Sequence, residues 1–430
     1  MDDFGFGPDG LRCEQVSLSQ VARRFGTPAY IYSSATLRSH FDRLRSAFAA
    51  VDPLICFSVK SCGNLHILRL LRNAGAGFDV VSGGELQRAV LAGADPRRIV
   101  FAGVGKTDDE ISDALRVGVG LLNVESPAEL ENLSSIAASA GCTARAALRI
   151  NPDVDARTHA YTTTGRKETK FGVDFDRTAE VFSRARRLPG LHLCGLHLHI
   201  GSPVNVVDPY VAAIRRAVDL IEELHRDGHV IDTLDIGGGF GAHYRGSEAP
   251  DAATYAAAVV PLLVGRGLSI VVEPGRSIAA NAGLLLTRVL YVKQSGAKRF
   301  AIVDAGMNDL MRPALYDAYH FIWPVEPEPR FVPTDRATAH ELDNLLEYDV
   351  VGPVCETGDF LGRGRRLPPL ARGDLLAVFT AGAYGMSMAS QYNSRPRPPE
   401  VLVDGAELRL IRRRERYDDL WAAELDAGAV

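Results

Sequence analysis

The sequence predicts an α/β protein: a TIM-type (β/α)8 barrel joined to a second, mostly antiparallel β domain. Three observations lead there. Between Leu54 and Val272, short apolar runs alternate eight times with stretches of helical spacing, the count of a (β/α)8 barrel. Polar residues collect just past the carboxyl ends of those runs, where such barrels carry their sites. Beyond Arg276 the chain turns to β-rich segments separated by Gly and Pro.

Taken in order, a short helix-like piece after Val16 leads into the β-rich run Ala29-Tyr30-Ile31-Tyr32, and an amphipathic helix spans 36–51. The first barrel strand is the apolar run from Leu54 that ends at Lys60, bounded by Pro53 and Gly63. Later strands are expected at 78–81, 99–102, 121–124, 144–150, 193–200, 233–236 and 269–272. Thr107-Asp108-Asp109-Glu110 reads as a capping box, and Ser126-Pro127-Ala128-Glu129 as a helix start with proline in its first turn. The strand ends bring up Lys60, then Asp79 with Ser82-Gly83-Gly84, then Asn123 and Glu125, then Arg149 and Asn151. After these come His197 and His199, Gly237-Gly238-Gly239, and Glu273-Pro274-Gly275-Arg276. Independent surface decoration would not sort itself to one end of every strand.

A chain of 430 residues exceeds one core, so two domains are expected. The barrel is assigned to 35–279 and the β domain, a small barrel or sandwich, to 1–34 with 280–430. Its strands are expected at 284–292, 299–303, 348–351, 375–379, 400–403 and 408–411, with an exposed Pro-rich loop over 323–333. The charge run Arg412 to Arg416 reads as a solvated face. The segment 151–170, poor in apolar residues and long for a barrel loop, reads as a lid.

A formal charge of −5 leaves no basic surface for nucleic acid or acidic lipid. No apolar run approaches a membrane span, and the first twelve residues lack the basic start of a signal peptide. Six scattered cysteines without C-x-x-C pairing argue against a zinc site or a disulfide framework and suit a reducing cytoplasm. No metal is expected.

Gly237-Gly238-Gly239 after the seventh strand, beside Gly275-Arg276 after the eighth, matches the phosphate corner common in such barrels. A phosphate cradle, a lysine on the first strand and Glu273 on the last suit one cofactor, pyridoxal phosphate. The lysine would hold it covalently, the acid would keep a proton on its ring nitrogen, and the flat His199 could stack on the ring.

With these residues in view the chain resembles the fold-type III pyridoxal-phosphate decarboxylases, and within them the diaminopimelate branch. The resemblance runs from about Tyr30 to Leu420. Its barrel motifs are Phe57-Ser58-Val59-Lys60, the run from Phe78 to Leu86, Lys170-Phe171-Gly172, His199-Ile200-Gly201-Ser202, the run from Leu234 to Gly239, and Glu273-Pro274-Gly275-Arg276. In the second domain they are the run from Asp304 to Tyr316, the run from Gly352 to Asp359, and Gly382-Ala383-Tyr384-Gly385. Met311-Arg312-Pro313 and Cys355-Glu356-Thr357 are the segments most specific to that branch.

The resemblance implies that Lys60, Asp79, His199, Ser202, Gly238, Gly239, Glu273, Pro274, Gly275, Arg276 and Tyr384 surround the cofactor. It implies that Arg276, Arg312 and Tyr316 hold the distal carboxylate of an amino-acid substrate, Glu356 its distal ammonium, with Tyr384 beside them. Cys355 would return a proton to Cα, an apt task because an ordinary thiol titrates near about 8.5. In the family Cys355 and Glu356 reach a partner's site, so the resemblance implies a homodimer with shared active sites. The implied reaction converts meso-2,6-diaminopimelate to L-lysine and CO2, a lyase step of lysine biosynthesis.

Ser61-Cys62-Gly63-Asn64 and Pro203 depart from the family's usual residues. A relative acting on ornithine, arginine, a D-amino acid or a carrier-bound amino acid is the nearest alternative. A racemase of the same barrel, or a non-catalytic regulator, is further off.

Overall fold

The computed structural model describes residues 2–154, 170–246 and 249–427. It divides into two compact units, one of Ser39–Ala242 with Ala249–Ser277, the other of Met1–Arg38, His243–Glu248 and Ile278–Val430.

The first unit is a closed parallel barrel. Its strands are β1 (Leu54–Ser58), β2 (Gly77–Val80), β3 (Ile99–Phe101), β4 (Leu121–Val124), β5 (Ala144–Asn151), β6 (Leu191–His197), β7 (Thr233–Asp235) and β8 (Ser269–Val272). Each pairs in parallel with the next, and β8 returns to β1 through Val271↔Leu54 and Val272↔Ile55. Helices cover the outside, so the strands are buried on both faces and read as apolar runs rather than alternations. The helix starts follow the local chemistry. Asn64, Ser82 and Ser126 accept backbone N–H groups as N-caps, and Thr107 with Glu110 forms the expected capping box.

Inside the barrel, Cys56, Val100, Leu121, Ala147, Cys194 and Val271 form a dry apolar layer. Side chains two residues apart on a strand share a face. The next inward positions are therefore Ser58 after Cys56, Asn123 after Leu121, Arg149 after Ala147 and Glu273 after Val271. Register adds to them, with Asp79 opposite Ser58 and His197 opposite both Arg149 and Asp235. The apolar layer is thus covered by a polar one at the carboxyl ends of the strands.

The second unit is a mixed, mostly antiparallel sheet. Its path runs 360–367, 346–351, 298–303, 283–295, 29–33, 400–404 and 407–412. Two pairings are parallel, 298–303 with 346–351 and 29–33 with 400–404. Strand 375–378 joins 283–295 from the side and pairs in turn with 322–324. The hairpin 4–7/10–13, the strand 360–367 and the terminal helix Tyr417–Asp426 were not anticipated.

Two expectations need correction. The Pro-rich stretch is only in part an exposed loop: residues 328–330 are exposed, but Trp323, Val325 and Phe331 are buried, and the Trp323 indole donates to the Phe331 carbonyl at 3.0 Å. Nor is the arginine run a plain solvated face. Arg412 donates to buried Glu400, Arg414 donates to the Pro28 carbonyl at 2.8 Å, and Arg413 pairs with Asp419. Arginine stems can lie along apolar surface while the heads find acceptors. The expected lid falls mainly on 155–169, outside the described residues. All six cysteines are free thiols, and no helix among the described residues is long and apolar enough to cross a membrane.

Candidate active site

β1 ends in a single helical turn, Val59–Ser61, which turns Lys60 out of the strand at the barrel mouth. Its Nζ lies 2.6 Å from Oδ2 of Asp79, which is fully buried at the end of β2. Ser58 ties these to the other side of the barrel. Its hydroxyl lies 2.7 Å from the same Asp79 oxygen and 3.0 Å from the carbonyl of Glu273, and its N–H donates to the Pro274 carbonyl at 3.0 Å. Gly275 must be small here, since a Cβ would stand 2.9 Å from that of Ser58.

The glycine run after β7 makes an equally close approach. A Cβ on Gly238 would come 2.0 Å from the Glu273 carbonyl oxygen, a backbone atom that cannot step aside. Gly239 sits at φ +94°, and its Cβ would meet the Gly201 carbonyl at 2.2 Å. Tyr210 braces the run by donating to the Gly238 carbonyl at 2.8 Å, and its ring stacks on Phe240. Arg276 Nε donates to the Ser202 hydroxyl at 3.1 Å, which joins the turn after β8 to the loop after β6. The unusual Pro203 leaves the adjoining contact intact, because Val204 N–H still donates to the Gly239 carbonyl.

Burial governs the electrostatics. Glu273 is raised well above the usual carboxylate range by desolvation first and by the charge of Asp79 second. Burial lowers His197 to about 4. His199, at the rim after β6, is pushed well below the imidazole range by the protein packed around its ring and by Arg149. Glu85, a turn beyond Asp79, is raised to about 7, mainly by burial. Cys56 beneath them is a buried thiol pushed far upward, and inert.

Lys60, Asp79, Ser202, Gly238, Gly239, Glu273, Pro274, Gly275 and Arg276 thus sit in one linked set at the carboxyl end of the barrel. The donor set suits pyridoxal phosphate. A reachable amine on β1, a buried carboxylate on the neighbouring β8 and a side-chain-free backbone turn on β7 could hold an aldehyde, a ring nitrogen and a phosphate. The same interior holds groups that the sequence reading left unassigned, Asn123, His197, Asp235 and Glu85. Of these only Asn123 had a signal in the sequence, the two-residue step from Leu121 in the apolar layer, which places it inward as the same step from Val271 places Glu273.

The remaining expected residues belong to the second unit. Arg312 opens the short helix Arg312–Tyr316, is buried, and lies 5.3 Å from the ring centre of Tyr244 and 6.0 Å from that of Tyr316. Cys355 and Glu356 stand exposed on a tight loop. Asp359 holds that loop, accepting the N–H groups of Val354 and Met307 at 2.6 Å each. Asn393 accepts the Cys355 N–H at 3.2 Å, and the Tyr392 hydroxyl donates to Glu356. Tyr384 is half-buried and holds a left-handed backbone at φ +55°.

Residues 34–280 match the pyridoxal-binding domain of the pyridoxal-dependent decarboxylases. The chain is 49% identical to diaminopimelate decarboxylase of Pseudomonas aeruginosa over 424 residues, covering 99% of both. The chain belongs to the diaminopimelate decarboxylase family. Among solved structures, this decarboxylase is similar to that of Helicobacter pylori in complex with L-lysine, at 41% identity and TM-score 0.89, covering 96% of this chain and 100% of that one. The M. jannaschii enzyme in co-complex with L-lysine matches at 34% identity and TM-score 0.91, covering 98% of each. This decarboxylase is a carboxy-lyase whose cofactor is pyridoxal phosphate.

Proposed function

We propose that this decarboxylase converts meso-2,6-diaminopimelate to L-lysine and CO2, as a cytoplasmic homodimer with shared active sites. The observation that most supports the substrate is near-complete coverage at 49% identity with a relative of that name. When bound, pyridoxal phosphate draws electrons away from the substrate Cα, so that the bond to the carboxylate can break.

The chain's residues prepare that event. Lys60 would supply the amine that holds the cofactor, His199 would lie against its ring, and Glu273 would partner the ring nitrogen. Ser202, Gly238, Gly239, Gly275 and Arg276 serve the phosphate end, with Tyr384. A substrate with an amino-acid group at each end needs both charges at its remote end. Arg312 with Tyr316 and Arg276 suits the carboxylate, since guanidinium binds it through two parallel hydrogen bonds. Glu356 suits the ammonium. Holding the far end fixes the angle at which the departing carboxylate stands to the ring. The Cα–carboxylate bond breaks, CO2 leaves, and the Cys355 thiol gives its proton to Cα, to be replenished from solvent. Exposure of Cys355 and Glu356 on the single chain supports their service to a partner.

The test is CO2 release and product analysis on meso-, LL- and DD-diaminopimelate, ornithine, arginine and lysine. Turnover of the meso isomer alone, yielding L-lysine, is expected. Arg312→Leu should raise KM for it and lower kcat as well, since the far end no longer fixes the reacting bond. Equal turnover of ornithine would overturn the substrate.

A further inference from the structure

Behind Glu273 lies a buried cluster that the proposed chemistry does not use, Asn123 from β4, His197 from β6 and Asp235 from β7. Asp235 is fully buried, His197 is 1% exposed and Glu273 4%. Asp235 Oδ1 accepts the Gly237 N–H at 2.9 Å, and its Oδ2 accepts from Asn123 Nδ2 at 2.9 Å. The same Asn123 amide reaches Glu273 Oε1 at 3.3 Å, so one side chain bridges the two carboxyl groups. His197 Nε2 lies 3.5 Å from Glu273 Oε2. One polar atom each of His197, Asp235 and Glu273 falls within 4.8 Å of the others.

Two carboxyl groups this close and this dry cannot both be ionised, and the pair must hold a proton. The nearby cations relieve only the Glu273 side, and only in part, because Arg149 is paired with Glu125 at 2.8 Å and Lys60 with Asp79 at 2.6 Å. Asp79 adds a further negative charge on the Glu273 side. The two members are not equivalent. Glu273 feels the Lys60 cation, whereas the groups facing Asp235 are Glu273 itself, neutral His197, Asn123 and the Cys56 thiol. Desolvation and then Glu273 push Asp235 far upward, which leaves the proton there.

We propose that Asp235 is a positioning residue for the decarboxylation, holding the proton of this pair and donating it as a hydrogen bond to Glu273. Glu273 then remains the ionised member that faces the cofactor's ring nitrogen. Asn123 fixes the spacing of the pair, and His197 closes the other side as a neutral ring. The inference rests on the reading of Glu273 as the ring-nitrogen partner. Without the Asp235 donor, Glu273 becomes the stronger base and takes the proton from the ring, which weakens the ring's pull on electrons.

The experiment is the ring-nitrogen NMR shift of holoenzyme loaded with 15N-labelled pyridoxal phosphate near neutral pH. Glu273→Gln is the control and should move the resonance toward unprotonated pyridine. Asp235→Ala should move it the same way, while Asp235→Asn, which keeps a neutral donor, should leave it where the wild type has it. An ionised Asp235 would make the Asn and Ala variants shift alike, which overturns the proposal. A resonance that ignores Asp235→Ala but answers Glu273→Gln also overturns it. A resonance that ignores Glu273→Gln overturns the reading of Glu273 itself. If Asp235→Ala does not fold, the Asn variant decides, and a moved resonance there refutes the shared proton. A stoichiometric metal in the purified protein would refute it too, since a cation among His197, Asp235 and Glu273 would replace the proton.

Discussion

The Lys60–Asp79 pair can be tested on cofactor-free protein, where no turnover confuses the result. Lys60→Ala removes the cation and leaves the Asp79 carboxylate with no exposure at all and the Ser58 hydroxyl beside it. At 2.6 Å the gross attraction at an effective dielectric of about 20 is roughly 6 kcal/mol. Water entering the space left by the lysine returns part of it to Asp79. The Lys60 side chain is 35% exposed, so the figure is discounted further for solvent screening. A destabilisation of about 2 kcal/mol remains, below the range for fully buried pairs because the cation is half in water. Adding Asp79→Asn removes the stranded charge and keeps an oxygen for Ser58, so the double variant should regain most of the loss. Both tryptophans, Trp323 and Trp421, lie in the second unit, so their emission in urea serves as a control. Hydrogen exchange of barrel peptides carrying β1 and β2 reports the effect. A single variant as protected as wild type, or a double variant no better than Lys60→Ala, would refute the pair.

Two more outcomes follow from the site. Mixing and refolding inactive Lys60→Ala with inactive Cys355→Ala should restore about a quarter of wild-type activity, since half of randomly paired dimers carry one intact site; no recovery would sink the shared-site dimer. His197, held neutral by burial at about 4 against an ordinary value of about 6.5, binds its proton later in the folded than in the unfolded chain. Its contribution to stability is therefore full above the ordinary value and lost as pH falls from about 6.5 to 4, by about 3 kcal/mol. Barrel stability compared with His197→Gln between pH 7 and 4 checks this, and parallel curves would count against a buried neutral imidazole.

Much of this was legible in the sequence because a parallel strand covered on both faces advertises itself as an apolar run ended by a polar residue. Lys60, Glu273 and the glycine turn could be found that way, each closing such a run at its carboxyl end. Cap chemistry at Asn64, Thr107 and Ser126 likewise needs only neighbours in the chain. The buried anchors of the Pro-rich stretch were missed because composition says nothing of tertiary cover: Trp323 and Phe331 are buried, and the strand that carries Trp323 pairs with 375–378, far off in sequence. Arg412 was misread for the same reason, its partner Glu400 lying on a paired strand.

Asp235 shows where such reading stops and why. In Leu234-Asp235-Ile236 it looks like one more residue of a motif, and no local pattern says that its neighbour is Glu273, thirty-eight positions on. Only register does so, by setting His197 opposite Asp235 on β6 and β7 and carrying Glu273 inward two steps beyond Val271. A carboxyl group at this depth is costly unless hydrogen-bonded. Asp235 is held by the Gly237 amide and by Asn123. A hydrophobic residue there would leave the Asn123 amide and the Gly237 N–H without their acceptor, so the polar layer stands or falls as a set. That interdependence is why Asn123, Asp235 and Glu273 are expected to change together rather than one at a time.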